Sequence, residues 1–235
     1  MEFKLEQVEL YDDESVEKVP DFVSQERISK QVDLIYKHMA EAIGHGKSAE
    51  VVHIPSYEAS VCYKILSSTR MEKLYGSAED APKVNSPKEE AFFLSRVREV
   101  AGNVRVPKPL CYWEGESEEL GHFKILILER LNAFTLQELL MNDERLSPDF
   151  DFDTFSQNLS GFVTRMNEDL KIRHNDLTVT NVMIERETGM PCVIDFGDSE
   201  KEFGENERPF TKDKVAVKGV LETLKNHTRH QVAID

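Results

Sequence analysis

The stretch that most restricts the fold of this chain runs from Arg173 to Glu200, RHNDLTVTNVMIERETGMPCVIDFGDSE. Val182 to Glu185 and Pro191 to Ile194 read as two short strands that turn back on each other at Arg186 to Met190. Such a hairpin sets Asn181, just before its first strand, beside Asp195, just after its second. Asp176 precedes Asn181 by five residues, and Asp195 follows it by fourteen.

Two carboxylates and an amide in that order suit phosphoryl transfer, in which a protein supplies positioning and charge neutralisation more than covalent chemistry. One carboxylate accepts the proton of an incoming hydroxyl, while the amide oxygen and the second carboxylate hold Mg²⁺ against nucleotide phosphates. His174-Asn175-Asp176, then Asn181, then Asp195-Phe196-Gly197 resemble the catalytic and metal-binding loops of the protein-kinase superfamily. The resemblance covers about residues 39–226. It implies a two-lobed α+β fold, with an N-terminal β-sheet lobe and a shortened, mainly helical C-terminal lobe. The corresponding division is an acidic extension with a helix over 1–38, an N-lobe and hinge over 39–131, and a shortened C-lobe over 132–235.

Further positions belong to the same set. Residues 39–66 read as three strands, and the first turn holds Ile43-Gly44-His45-Gly46-Lys47-Ser48-Ala49-Glu50-Val51. Gly44 and Gly46 let backbone amides approach a phosphate with no Cβ in the way. The third glycine of the kinase pattern is Ala49 here, and Lys47 lacks the spacing of a Walker-type loop. Lys64 lies in the apolar run Val61 to Leu66. Taken alone it reads as an edge lysine facing solvent; the resemblance makes it the phosphate-binding lysine. After a long polar connection over residues 67–87, a helix is expected from about Ser86 to Val100. Glu90 shares a face with Phe93, Leu94 and Val97, so it needs a partner, and Lys64 is the candidate. Glu89 aligns with Phe92 and Arg96 as the solvated neighbour.

Val104 to Trp113 and His122 to Leu128 read as strands, with Glu114 to Gly121 as an acidic turn between them. The resemblance makes Leu128-Glu129-Arg130-Leu131 a hinge, in which Glu129 and Leu131 read the adenine edge of ATP through their backbones and Leu128 is the gatekeeper. Thr135-Leu136-Gln137-Glu138 is a capping box. Phe155, Leu159, Phe162, Val163 and Met166 mark an amphipathic helix leading into His174. Thr211 opens a last helix through Val217, Val220, Leu221 and Leu224, and the tail KNHTRHQVAID is expected to fray. His174 is expected to prop the loop and Asp198 to cap the following turn; the resemblance implies that Asp213 anchors the last helix against the catalytic loop. Near the start, Phe3 to Leu10 form either a short strand or a solvated arm, and a helix is expected from Ser24 through Ile28, Val32 and Ile35.

A net charge of −15 argues against nucleic acid and anionic membrane surfaces as partners, since both require clustered Lys and Arg. Cys62, Cys111 and Cys192 have neither metal-ligand nor disulfide spacing, and Cys62 and Cys192, in apolar strand-like runs, read as buried reduced thiols. MEFKLEQVEL has no cationic start or apolar core of a secretion signal, and no apolar run approaches spanning length. The expectation is a cytoplasmic protein; delivery into another cell's cytosol is compatible with the same features.

Asp176 to Asn181 with a compact ending is similar to the RIO kinases, and closer still to the small kinase subunit of the KEOPS tRNA-modification complex. The chain departs from the latter in its acidic charge, its N-terminal extension and its lack of a basic tail. Asn175 stands where many protein kinases carry the arginine that pairs with a phosphorylated activation loop, and no Ala-Pro-Glu motif follows Gly197. The resemblance thus implies an atypical Ser/Thr protein kinase using ATP and Mg²⁺ on a protein substrate, with an activating protein partner supporting the shortened lobe. Aminoglycoside- and choline-type phosphotransferases rank second, because the 42 residues between Leu131 and His174 leave little for an acceptor pocket. A nucleotide-binding pseudokinase scaffold ranks third.

Overall fold

The computed structural model describes residues 4–8, 44–45, 49–52, 60–76, 84–117, 120–141, 144–201 and 211–232. The expected helix from Ser24, and Gly46 and Lys47 of the glycine turn, lie outside the described residues. By internal contacts the chain divides into two units, residues 1–92 with 108–130 and residues 93–107 with 131–235.

The first unit is built on an antiparallel six-stranded sheet. Its strands are β1 (Lys4–Val8), β2 (Gly44–His45), β3 (Glu50–Val52), β4 (Val61–Ser67), β5 (Pro109–Ser117) and β6 (Gly121–Glu129), in the order β1-β5-β6-β4-β3-β2. Successive side chains alternate between faces. One face gathers Val52, Val61, Tyr63, Ile65, Cys111, Trp113, Phe123, Ile125 and Ile127 into a buried cluster. Lys64 lies opposite Val51 on one side and Leu126 on the other, and so belongs to the other face. Of the two readings of Phe3 to Leu10, the strand holds, paired with β5 along Lys4↔Glu116 to Val8↔Tyr112.

Several details differ from the sequence expectations. β5 runs on through Ser117, so Glu114 and Glu116 are strand residues and not part of a turn. At its other end, the strand begins at Pro109; Arg105 instead bridges in parallel to Cys192 within the second unit. The polar connection contains a helix, α1 (Ser68–Tyr75), with no buried residue; Met71, Leu74 and Tyr75 recur in it at helical spacing, a short signal the sequence reading passed over. Its caps were a second signal. Ser67 Oγ accepts from the amide of Arg70 at 3.4 Å, and Gly76, at φ 84, closes the helix by donating to Glu72 at 2.8 Å.

Helix α2 (Pro87–Arg98) carries Glu90 in the first unit and Leu94 and Val97, both buried, in the second. The rest of the second unit is mainly helical. It contains β7 (Ala133–Thr135), α3 (Leu136–Leu140), α4 (Phe152–Glu168), β8 (Ile172–Arg173), β9 (Val182–Glu185), β10 (Pro191–Val193), β11 (Glu200–Lys201) and α5 (Thr211–Val232). Both bonds of the capping box at Thr135 are present. Asp151 caps α4 by accepting from Asp153 and Thr154 at 3.0 and 3.2 Å, and Phe155, Leu159, Phe162, Val163 and Met166 are its buried stripe. The hairpin of β9 and β10 pairs Val182 with Val193, and β7 adds on the outer side of β9. Helix α5 continues to Val232, through most of the tail expected to fray. The chain therefore has the α+β class expected, an N-terminal sheet unit followed by a smaller-stranded, mainly helical one.

Candidate active site

The residues singled out from the sequence fall into two groups, one in each unit. In the first, Lys64 Nζ donates to both carboxylate oxygens of Glu90, at 2.9 and 2.7 Å. Lys64 is 7% and Glu90 2% exposed, so each charge has the other in place of water. Glu89 is exposed and spends its carboxylate on the amide of Ser86 at 2.8 Å. A buried ammonium held on a strand by a buried carboxylate is fixed in direction. Gly44 lies in β2, opposite Val51, while Gly46 is outside the described residues. Glu129 ends β6; its amide donates to Lys108 at 2.9 Å, and the amide of Arg130 donates to Ser60 at 2.8 Å. Leu128 is buried; Leu131, in the second unit, is half-buried.

The second group is knitted around the loop from His174 to Asn181. Asn181 Nδ2 donates to both the backbone oxygen and the carboxylate of Asp176, at 2.9 and 2.8 Å. An amide so committed turns Oδ1 away as the remaining donor atom for a cation. The amide of Ile194 donates to the Asn181 carbonyl at 3.0 Å, which holds Asn181 against the residue preceding Asp195. Asp195 has φ 62, and its Oδ1 accepts from the amide of Gly197 at 3.2 Å.

His174 is fully buried, its ring 4.6 Å from that of Phe196. Nε2 lies 3.0 Å from the Ile194 carbonyl and Nδ1 accepts from the amide of Asp176 at 3.3 Å. A carbonyl can only accept, so Nε2 carries the proton and the ring is neutral. Burial pulls its pKa below the ordinary histidine value, outweighing the nearby carboxylates of Asp213, Asp195 and Asp176. His174 is thus a prop that joins the loop to the hairpin.

Asp213, in the first turn of α5 and 1% exposed, accepts from the amides of His174 at 2.9 Å and Asn175 at 3.1 Å, and from Asn167 Nδ2 at 3.0 Å. Asn167 also donates to the Ile172 carbonyl at 2.7 Å. The sequence reading missed Asn167. Its signal was a polar residue four positions after Val163, on the buried stripe of α4, where an amide must find partners.

Asn181 and Asp195 offer oxygen ligands only, the donor type a hard cation such as Mg²⁺ takes. Among the described residues no group of three or more His, Cys, Asp or Glu is placed to hold a metal ion. Cys62, Cys111 and Cys192 are free and buried. No described helix is long and apolar enough to cross a membrane.

No family model matches the chain, and no curated protein matches it. Among solved structures it is similar to "WaaP in complex with acyl carrier protein", at 16% identity over 77% of this chain and 72% of that one, with a TM-score of 0.45. That likeness is coarse, and the functional reading stands on the residues themselves.

Proposed function

We propose that the chain is a protein-kinase-like phosphotransferase that uses ATP and Mg²⁺ to phosphorylate a hydroxyl, a protein serine or threonine in the first instance. The observation that carries this reading is the pair of hydrogen bonds that Asn181 Nδ2 donates to Asp176, made beside the hairpin that ends just before Asp195. In it, one carboxylate is oriented by an amide whose oxygen is left for a cation, the division of labour that phosphoryl transfer requires.

Asp176 would orient the acceptor hydroxyl and take its proton, with Asn181 fixing the carboxylate's direction. Asn181 and Asp195 would hold Mg²⁺, which supplies charge neutralisation at the phosphates when bound. Lys64, fixed by Glu90, would bind the α- and β-phosphates, with Gly44 and Gly46 admitting the phosphate chain to the backbone. Glu129 and Leu131 would read adenine. Asp213 and His174 hold the backbone of the loop and touch neither nucleotide nor acceptor in this scheme.

The test is thermal unfolding with and without Mg-ATP, beside Asp195→Asn. A ligand bound only by the native state stabilises by about 2.7 kcal/mol at a hundredfold excess over Kd. A metal-dependent shift in the wild type, lost in the variant, supports the reading; no shift at millimolar Mg-ATP overturns it in favour of a nucleotide-free scaffold. Offering protein hydroxyls beside aminoglycoside- and choline-like alcohols then decides the acceptor. Preferential phosphorylation of the small alcohols would replace the protein-kinase reading. Full turnover by a purified monomer would dispense with an activating partner.

A further inference from the structure

Asn175 precedes Asp176 with φ 67, a left-handed conformation that asparagine tolerates better than other residues with a side chain. Its backbone amide and both polar atoms of its side chain are engaged. Its amide donates to Asp213 Oδ1 at 3.1 Å, Nδ2 donates to the Asp198 carbonyl at 3.0 Å, and Oδ1 accepts from Lys212 Nζ at 3.3 Å. Three segments distant in sequence therefore meet at one side chain: the loop of Asp176, the turn that follows Asp195, and the start of α5. The turn is closed on itself by Gly197 donating to Asp195 Oδ1 at 3.2 Å and Ser199 donating to Phe196 at 3.1 Å. Holding the Asp198 carbonyl thus holds the turn that aims the Asp195 carboxylate.

We propose that Asn175 is a positioning residue, a clasp that fixes the Asp195 turn to the Asp176 loop through a contact that needs no phosphorylation. The inference rests on the phosphotransfer reading above for its functional meaning. An arginine in this place has only donors, so it could not accept from Lys212 and would set a second cation beside it. Asparagine bonds a neutral backbone carbonyl that is always present, so the clasp is closed in the unmodified chain.

The test uses the full chain and begins without nucleotide. Asn175→Gly keeps the left-handed backbone and deletes both side-chain bonds. Asn175→Asp keeps the length and the acceptor for Lys212, but replaces the Nδ2 donor with an oxygen facing the Asp198 carbonyl. Hydrogen exchange at Gly197 and Ser199 should quicken in either variant; unchanged exchange in a folded variant overturns the clasp. With ATP present, the Mg²⁺ concentration at half-maximal thermal shift should rise by roughly tenfold, the usual scale for losing a group that orients a metal ligand. The native chain supplies an arm that no folding failure can remove. Phosphatase-treated and untreated protein should show the same exchange at Gly197 and the same Mg²⁺ midpoint, and loosening after dephosphorylation overturns the proposal. Should the wild type show no Mg-ATP shift at all, the phosphotransfer reading fails, while the exchange comparison still decides the clasp.

Discussion

Lys64 and Glu90 are buried against each other, Nζ lying 2.9 and 2.7 Å from the two carboxylate oxygens although the residues are 26 apart in sequence. Neither has water in place of its partner, so removing one takes from the other's buried charge the two bonds that this pair makes. Lys64→Ala should cost about 3–5 kcal/mol in chemical denaturation. The double variant Lys64→Met, Glu90→Leu should recover most of that loss while abolishing any phosphotransfer. If the single and double variants are equally unstable, the pair is not what holds these side chains.

Asp176 accepts from the Asn181 side-chain amide at 2.8 Å, and the proposed function makes it the proton acceptor. Asp176→Ala should lower single-turnover transfer by at least about 10²-fold, the lower end of what a positioned general base supplies. The thermal shift with Mg-ATP should be nearly unchanged. An unaltered rate would remove Asp176 from the chemistry, and a lost shift would make it a ligand-binding residue instead.

The buried neutral His174 makes stability depend on pH in a defined direction. Its folded pKa is lowered, so between that value and about 6.5 the unfolded chain takes up a proton that the native chain refuses. Stability should therefore fall as pH drops below about 6.5, by at most about 1.4 kcal/mol per pH unit from this group, and be insensitive to it above. His174→Gln should flatten that slope in denaturation curves taken from pH 4.5 to 7.5, on an order-of-magnitude scale. An identical slope in the variant would assign the dependence to other groups.

Burial pushes the thiols of Cys62 and Cys111 up to about 12, and Cys192 is fully buried. At pH 8 a thiol reagent should label native protein at least about a hundredfold more slowly than unfolded protein, because the thiolate is the reacting form. Rapid labelling of one native cysteine would reveal local opening around its strand.

The Thr135 capping box is solvent-exposed and closes on itself, with Glu138 accepting from the Thr135 amide at 2.6 Å. Thr135→Ala should cost about 1 kcal/mol and leave the Mg-ATP midpoint alone. A changed midpoint would tie α3 to ligand binding.

What could be read in advance was what neighbours in sequence decide. The β9–β10 hairpin, the capping box and the stripe of α4 each declare themselves within a few residues, through periodicity or a cap. Helix α1 was passed over although Met71, Leu74 and Tyr75 recur at helical spacing, because polar residues surround so short a stripe, and the end of β5 because its glutamates resemble a turn. The pairing of Lys64 with Glu90 was open to inference because a glutamate on an apolar helix face demands a cation.

The sequence by itself determined which chemical groups are available: two carboxylates, an amide and a lysine in strands and loops of recognisable pattern. The Lys64–Glu90 pairing and an anchoring role for Asp213 could be anticipated; tertiary structure alone decided the individual bonds around the loop. Asp213 reaches His174 across 39 residues and Asn167 across 46, and Asn175 reaches Asp198 across 23. No local rule specifies such bonds, because each arises only when burial strips water from a polar group and leaves one partner within reach.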